Sequence, residues 1–294
     1  MSETPGIRRP PVAKALRRII KLSISLIYFV IYYIWNELCR LAQTDRVGTC
    51  AVLYYHSVPS RYRERFEKQM QVASCLAKPV DLLRISDLPA DGRTVAITFD
   101  DALESFWENA VPVLMRLRIP VTVFAVSDAL GSTPKWGESY YSPSERVMSA
   151  EQLGNLPDLV TVGSHTLTHM NLVEADPAAA GEEIAASRQR LEMLLRRSVT
   201  LFSFPYGFFN VSTVRQCQQA GYERVFTTEP VLVVPSKDQF VIGRIAADPW
   251  DWPLEFRLKI MGAYRWQLRL QLVMRSIRGL FFPKKREACG RFPC

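Results

Sequence analysis

The chain has 294 residues, 48 % of them hydrophobic and 22 % charged, enough apolar mass for one large core or two small ones. Its net charge of +8 is concentrated at the ends: residues 1–21 hold six Lys or Arg against one Glu, and residues 254–294 hold ten against two. The acidic middle that remains excludes a uniformly basic nucleic-acid binder and fits a soluble domain held at an anionic membrane surface.

Taken in chain order, the first element is "RRIIKLSISLIYFVIYYIWNELCR". A basic flank precedes an uncharged run from Leu22 to Asn36, and no small-residue cleavage site follows, so an uncleaved membrane anchor is expected over residues 1–45. A buried core helix is the plainer alternative. From Cys50 onward, short apolar runs alternate with helix-like stretches: "CAVLYYH", "TVAITF", "PVTVFAV", "LVTVGSH", "LFSFPYG", "RVFTT" and "FVIGRIA". About seven β-rich runs separated by patterns such as "AAAGEEIAASRQRLEMLLRR" predict parallel strands with covering helices, an α/β domain of barrel type over residues 46–255. Residues 131–146 read as a surface loop. In the tail, 256–294, Trp266, Leu270, Val273, Ile277 and Leu280 form one helical stripe interleaved with arginines. That stripe serves equally a helix packed on the domain and one lying on a membrane. The six cysteines form no CxxC pair and no close Cys/His cluster, so no structural zinc site is expected from them.

The strand-like "TVAITF" ends in two adjacent aspartates, Asp100 and Asp101. Burying one ionised carboxylate is costly unless something pairs with it. Two of the chain's three histidines, His165 and His169, end another strand-like run in "VGSHTLTHMNL". If these residues begin a helical turn, both imidazoles share a face, and one aspartate completes an open site of two His and one carboxylate for a catalytic divalent metal. Zinc is the first expectation, and cobalt, nickel and iron suit the same donors. The second carboxylate is then free to take a proton from water. The plain reading makes Asp101 a helix N-cap and Asp100 a loop residue.

"TFDD", "SHTLTH" and "FPYG", in this order, resemble the polysaccharide deacetylases with a NodB-like domain, carbohydrate esterases on a distorted (β/α) barrel. The resemblance covers roughly residues 50–260. It implies that Asp100 is the catalytic base, that Asp101, His165 and His169 hold the metal, and that Pro205 and Tyr206 line the groove. The Tyr206 backbone amide would face the developing oxyanion. In two places the chain departs from the family's pattern. Ser203 stands where members usually carry an arginine that holds the base, with Arg244 a candidate to replace it. No histidine follows His169, although many members supply a late one as general acid. His56, in "VLYYHSV", resembles the early acid histidine of a branch with permuted motifs. Trp250, in "DPWDW", is a weaker candidate for the groove.

The expected activity is removal of an N-acetyl group from an amino sugar of a polysaccharide or lipid-linked glycan. A deformylase or O-deacetylase would use the same machinery, and a non-catalytic glycan-binding protein is the alternative of another class. The expected surroundings are the membrane surface in the cell envelope, reached by a single-pass anchor with an external catalytic domain in preference to a monotopic one, and no nucleic acid.

Overall fold

The computed structural model describes residues 12–41, 48–89, 91–136, 144–234, 239–270 and 273. The chain forms two units, Met1–Asp45 and Arg46–Cys294. The first contains α1 (Val12–Leu41), whose stretch Ala15–Trp35 is 21 residues of apolar helix, long enough to cross a membrane. Leu16, Ile19, Ile27, Ile31, Ile34 and Trp35 are all exposed on it.

In the second unit, β1 (Thr49–Tyr55), α2 (Arg63–Leu76), β2 (Lys78–Pro79), β3 (Arg93–Phe99), α3 (Val111–Leu117) and β4 (Val121–Ala125) are followed by α4 (Ala150–Gly154) and β5 (Val160–Ser164). Then come α5 (Pro177–Leu195), β6 (Leu201–Ser203), α6 (Val211–Gln219), β7 (Arg224–Phe226), β8 (Leu232–Val233), β9 (Val241–Ile242), β10 (Ile245–Ala246) and α7 (Pro253–Ile260). The sheet order is β10-β1-β3-β4-β5-β6-β7-β9, parallel throughout, with β2 added to β3 and β8 antiparallel to β1. Helix starts are set locally. Ser149 and Asn210 close capping boxes on α4 and α6, and Asp176 accepts from the Ala178 amide ahead of Pro177.

Both faces of the sheet are buried, so each strand reads as a continuous apolar run, as a parallel sheet requires. Odd-numbered Leu53, Tyr55, Val95, Ile97, Phe99, Val121 and Val123 belong to the cluster that includes the helices. Even-numbered Cys50, Val52, Ala96 and Phe124 belong to a second cluster with Leu201, Phe226 and Ile242, inside the curved sheet. Continuing that alternation past Ala96 places Thr98 and Asp100 on the inner side.

"FVIGRIA", which reads as one strand, is two. β9 extends the sheet from β7 and β10 extends its opposite edge from β1, with only Gly243 and Arg244 between them. The chain therefore turns across the gap where the barrel nearly closes. Gly243 permits the turn: a Cβ there would lie 2.3 Å from the Glu229 carbonyl oxygen and 2.5 Å from Val231. In the tail, Leu270 and Val273 of the expected stripe are exposed. α7 ends at Ile260, Gly262 takes φ +71°, and a new helical segment begins at Trp266. Phe256, Leu258, Ile260, Ala263 and Tyr264 are buried, so residues 256–264 belong to the body. Ile277 and Leu280 lie outside the described residues.

Gly243→Ala is expected to lower unfolding free energy by about 1–3 kcal/mol, the usual cost of overpacking. Gly154→Ala, at a helical glycine with open space around it, should be neutral or stabilising. Urea unfolding of the two variants side by side checks this.

Candidate active site

The candidate residues all follow strands at the C-terminal end of the sheet, the end that carries the site in barrels of this kind. His56 follows β1, Asp100 and Asp101 follow β3, His165 follows β5, Pro205 and Tyr206 follow β6, Arg244 follows β9 and Trp250 follows β10. Of the seven non-glycine residues with positive φ among the described residues, five lie here: Asp101, Ala102, Thr166, His169 and Tyr206. Such conformations are costly and persist where the surroundings over-determine them.

Asp100 is 3 % exposed and Arg244 is completely buried. Arg244 Nη1 donates to Asp100 Oδ1 at 2.7 Å and Nη2 to Oδ2 at 2.8 Å, a two-pronged ion pair. Its remaining donors reach the Ser203 hydroxyl at 2.7 Å, the Thr98 hydroxyl and the Thr227 carbonyl, while Tyr54 and Phe124 cover the guanidinium. Burial, the largest single influence, works against the charged carboxylate, but the Arg244 charge and hydrogen bonds together with the neighbouring imidazoles overcome it and hold Asp100 down to about 2. Arg244, the cation the sequence offered in place of an arginine at position 203, thus pairs with Asp100, and Ser203 accepts one of its protons.

Asp101 faces the two histidines. Its Oδ1 is 3.6 Å from His165 Nε2 and 3.3 Å from His169 Nε2, and the three ligand atoms lie within 4.8 Å of one another. Residues 165–169 are not a helical turn. The left-handed residues Thr166 and His169 fold the loop back, and the two imidazole centroids come to 4.9 Å. Glu183 of α5 holds this loop by accepting from the Leu167 and Thr168 amides and the Thr168 hydroxyl. His165 Nδ1 is 2.7 Å from the Ser203 carbonyl oxygen, so it carries the proton and leaves Nε2 as a lone pair. Burial pushes His165 down to about 4 and, reinforced by His165 itself, His169 to about 3. Two neutral imidazoles and one carboxylate, all buried, fit a divalent cation with an open coordination position.

The remaining candidates surround this centre. His56 follows the strand whose Tyr55 carbonyl accepts the Asp100 amide. The Tyr206 ring meets His169 edge-on at 4.6 Å, and Pro205 is buried. Trp250 contacts Tyr62 at 5.6 Å, on the loop after β1, whereas Tyr206 contacts the triad itself. Two residues stand out that the sequence reading passed over. Trp136, in the loop 131–146, lies flat against His169 at 4.6 Å and 10°. Glu183 had a legible signal: it occupies the buried face of α5 with Ala180, Ile184, Ser187 and Leu191, where a charge needs a reason.

A near-closed α/β barrel with a carboxylate held by arginine beside a cluster fit for a divalent cation carries the groups of a metal-assisted hydrolase. A family model for polysaccharide deacetylase matches residues 87–225, a little under half of the chain, and this segment is similar to that family. The chain is 23 % identical over 218 residues to the Bacillus subtilis "Putative polysaccharide deacetylase YxkH", covering 70 % of this chain and 74 % of that one. It is 28 % identical over 157 residues to a poly-beta-1,6-N-acetyl-D-glucosamine N-deacetylase of Staphylococcus aureus, matching 52 % of this chain and only about half, 54 %, of that protein. The fold is shared with IcaB from Ammonifex degensii at a TM-score of 0.64 and 24 % identity, over 74 % of this chain and 98 % of that one.

In the metal-free protein, unfolded imidazoles take up protons near their usual 6.5, while His165 and His169 in the folded state resist protonation down to about 4 and 3. Acidification from pH 6.5 toward 4 therefore favours the unfolded state. Asp100 continues the trend, its contribution being lost from 3.8 toward 2. Melting temperatures of metal-free protein across pH 4.5–7.5 should fall on the acid side, and a flat profile would contradict neutral buried imidazoles.

Proposed function

We propose that the chain is a metal-dependent N-deacetylase acting on an amino sugar in a polysaccharide or lipid-linked glycan at the membrane. The observation that carries this reading is the Asp100–Arg244 pair set beside the Asp101, His165 and His169 cluster. One aspartate is committed to an arginine and kept ionised, and its neighbour is committed to the histidines.

A divalent ion held by Asp101, His165 and His169 would supply the Lewis acidity that activates water and polarises the acyl carbonyl. Asp100, anionic at any working pH, takes the proton of the attacking water. Arg244 keeps both carboxylate oxygens fixed, so the base loses little freedom on reaching the reactive geometry. The Tyr206 amide, in the left-handed turn after β6, serves the developing oxyanion. His56 returns a proton to the leaving amine from the β1 side of the site. Tyr206, Pro205 and Trp250 provide the walls that receive the sugar.

Staphylococcal and Bacillus relatives named for polysaccharide substrates support an amino-sugar polymer. α1 supports an anchor that spans the membrane, with the catalytic unit outside. A deformylase or an O-deacetylase would share every residue named here, and product analysis separates them: acetate or formate, free amine or free hydroxyl.

Asp100→Asn should reduce turnover about 10²–10⁴-fold while bound metal, measured by mass spectrometry of the metals, stays at the wild-type level. Retained turnover would remove Asp100 from the role of base. Arg244→Lys replaces two parallel hydrogen bonds with a point charge, so burial weighs more heavily on Asp100 and its pKa rises. The acid limb of the kcat/KM pH profile should move to higher pH, with metal content preserved. If α1 spans the bilayer, the protein should remain in the membrane pellet after alkaline carbonate extraction.

A further inference from the structure

The two histidines of the cation cluster are held in different ways. His165 has the arrangement usual for a ligand imidazole: Nδ1 bonds the Ser203 carbonyl oxygen at 2.7 Å, which fixes the ring and leaves Nε2 facing Asp101. His169 has no such bond, for its Nδ1 is buried and meets no hydrogen-bond partner among the described residues. What meets this ring instead is aromatic. Trp136 lies flat against it, with centroids 4.6 Å apart and planes 10° from parallel, and Tyr206 touches it edge-on. The buried indole N–H of Trp136 likewise has no partner among the described residues, so the two side chains are joined through their ring faces and not by a hydrogen bond.

Trp136 is itself anchored to the turn that carries Asp101. It packs on the buried cluster of Leu103, Val126, Ala129 and Val147. Leu103 and Val147 pair across an isolated bridge, the Met148 amide donates to the Ala102 carbonyl at 2.8 Å, and the Gly131 amide donates to the Met148 carbonyl at 2.9 Å. The start of the loop and the Asp101 turn are thus one packed body, whereas His169 sits on the loop that Glu183 holds from α5. The indole carries the position of the first to the imidazole of the second. The contact also distinguishes a loaded site from an empty one. An imidazole that gives its Nε2 lone pair to a divalent ion becomes electron-poor, and an electron-poor ring is drawn to the face of an indole more strongly than a neutral one. The stack therefore favours the ion-bound state and does not serve folding alone.

We propose that Trp136 is a positioning residue of the cation site: its indole face, in place of a hydrogen bond to Nδ1, sets the plane of the His169 imidazole and raises the affinity for a divalent ion. This rests on the reading of Asp101, His165 and His169 as the cation ligands, and adds to it a residue that acts only through one of them.

Metal binding, read without turnover, tests this. Full-length metal-free protein is titrated with zinc against a chromogenic chelator, and with cobalt while its visible absorption bands are recorded. Trp136→Ala should weaken zinc binding about tenfold or more, the usual cost of losing a residue that orients a ligand, and should shift or weaken the cobalt bands. Trp136→Phe, which keeps a flat aromatic face, should stay within about threefold of wild type and restore the bands. Trp136→Leu keeps apolar volume against Leu103 and Val147 without such a face, so it should melt, metal-free, close to the wild-type temperature and yet bind zinc as weakly as the Ala variant. The role of Trp136 is overturned if the Leu variant binds zinc within about twofold of wild type with unchanged cobalt bands, or if the Phe variant binds as weakly as the Ala variant. His165→Ala separates this from the reading beneath it. Should that variant bind zinc as tightly as wild type, the cation site falls and the proposal with it; should it lose zinc while Trp136→Leu binds like wild type, only the role of Trp136 falls.

Discussion

A fully buried arginine paired with a fully buried aspartate is the interaction on which the rest of the site depends. Arg244 and Asp100 are both removed from water, and taking either partner away would strand a charge, at about 3–5 kcal/mol. The pair is stable here because every direction around the guanidinium is answered: two carboxylate oxygens, two hydroxyls, one carbonyl and two aromatic faces. This satisfaction of donors has a chemical result. Asp100 stays anionic in a place where burial alone would neutralise it.

The same pair explains the architecture of the seam. Strands β9 and β10 occupy opposite edges of the sheet although only two residues separate them. A continuous strand would have carried Arg244 along one edge. The break at Gly243 instead delivers it to the open side of the barrel, above the inner cluster and against Asp100. Closing the gap and holding the carboxylate are thus performed by one short stretch of chain. On the other side of the site, Glu183 performs the corresponding service for the histidine loop, fixing three of its donors from α5.

Neighbouring aspartates consequently have separate environments. Asp100 faces inward to arginine and serine, continuing the inner row of β3. Asp101, turned by its φ of +70°, faces the imidazoles. The left-handed backbone at Asp101, His169 and Tyr206 concentrates strain around one volume, which is how a fold spends stability on placing groups. The aromatic rings of Trp136 and Tyr206 then bracket His169, one flat and one edge-on.

Much of this was legible in the amino-acid order. Alternating apolar runs announced the parallel strands because a sheet buried on both faces must be apolar, and the motifs at strand ends pointed to Asp100, Asp101, His165 and His169 because those residue types are costly to bury without a purpose. Arg244 was legible only as a nearby cation. Its pairing spans 144 residues of sequence and depends on a strand interruption that "FVIGRIA" conceals, since Gly243 reads as an ordinary strand residue until the Glu229 carbonyl is seen against it. Trp136 carries no local signal: a tryptophan in a loop is placed by what lies across from it, here His169. Composition and periodicity thus determined which elements form, and the strand-end motifs named polar residues whose burial needed a partner. Which of those residues meet, and which aspartate each partner claims, was decided by the tertiary structure, because contact between strand ends is set by sheet closure and not by distance along the chain.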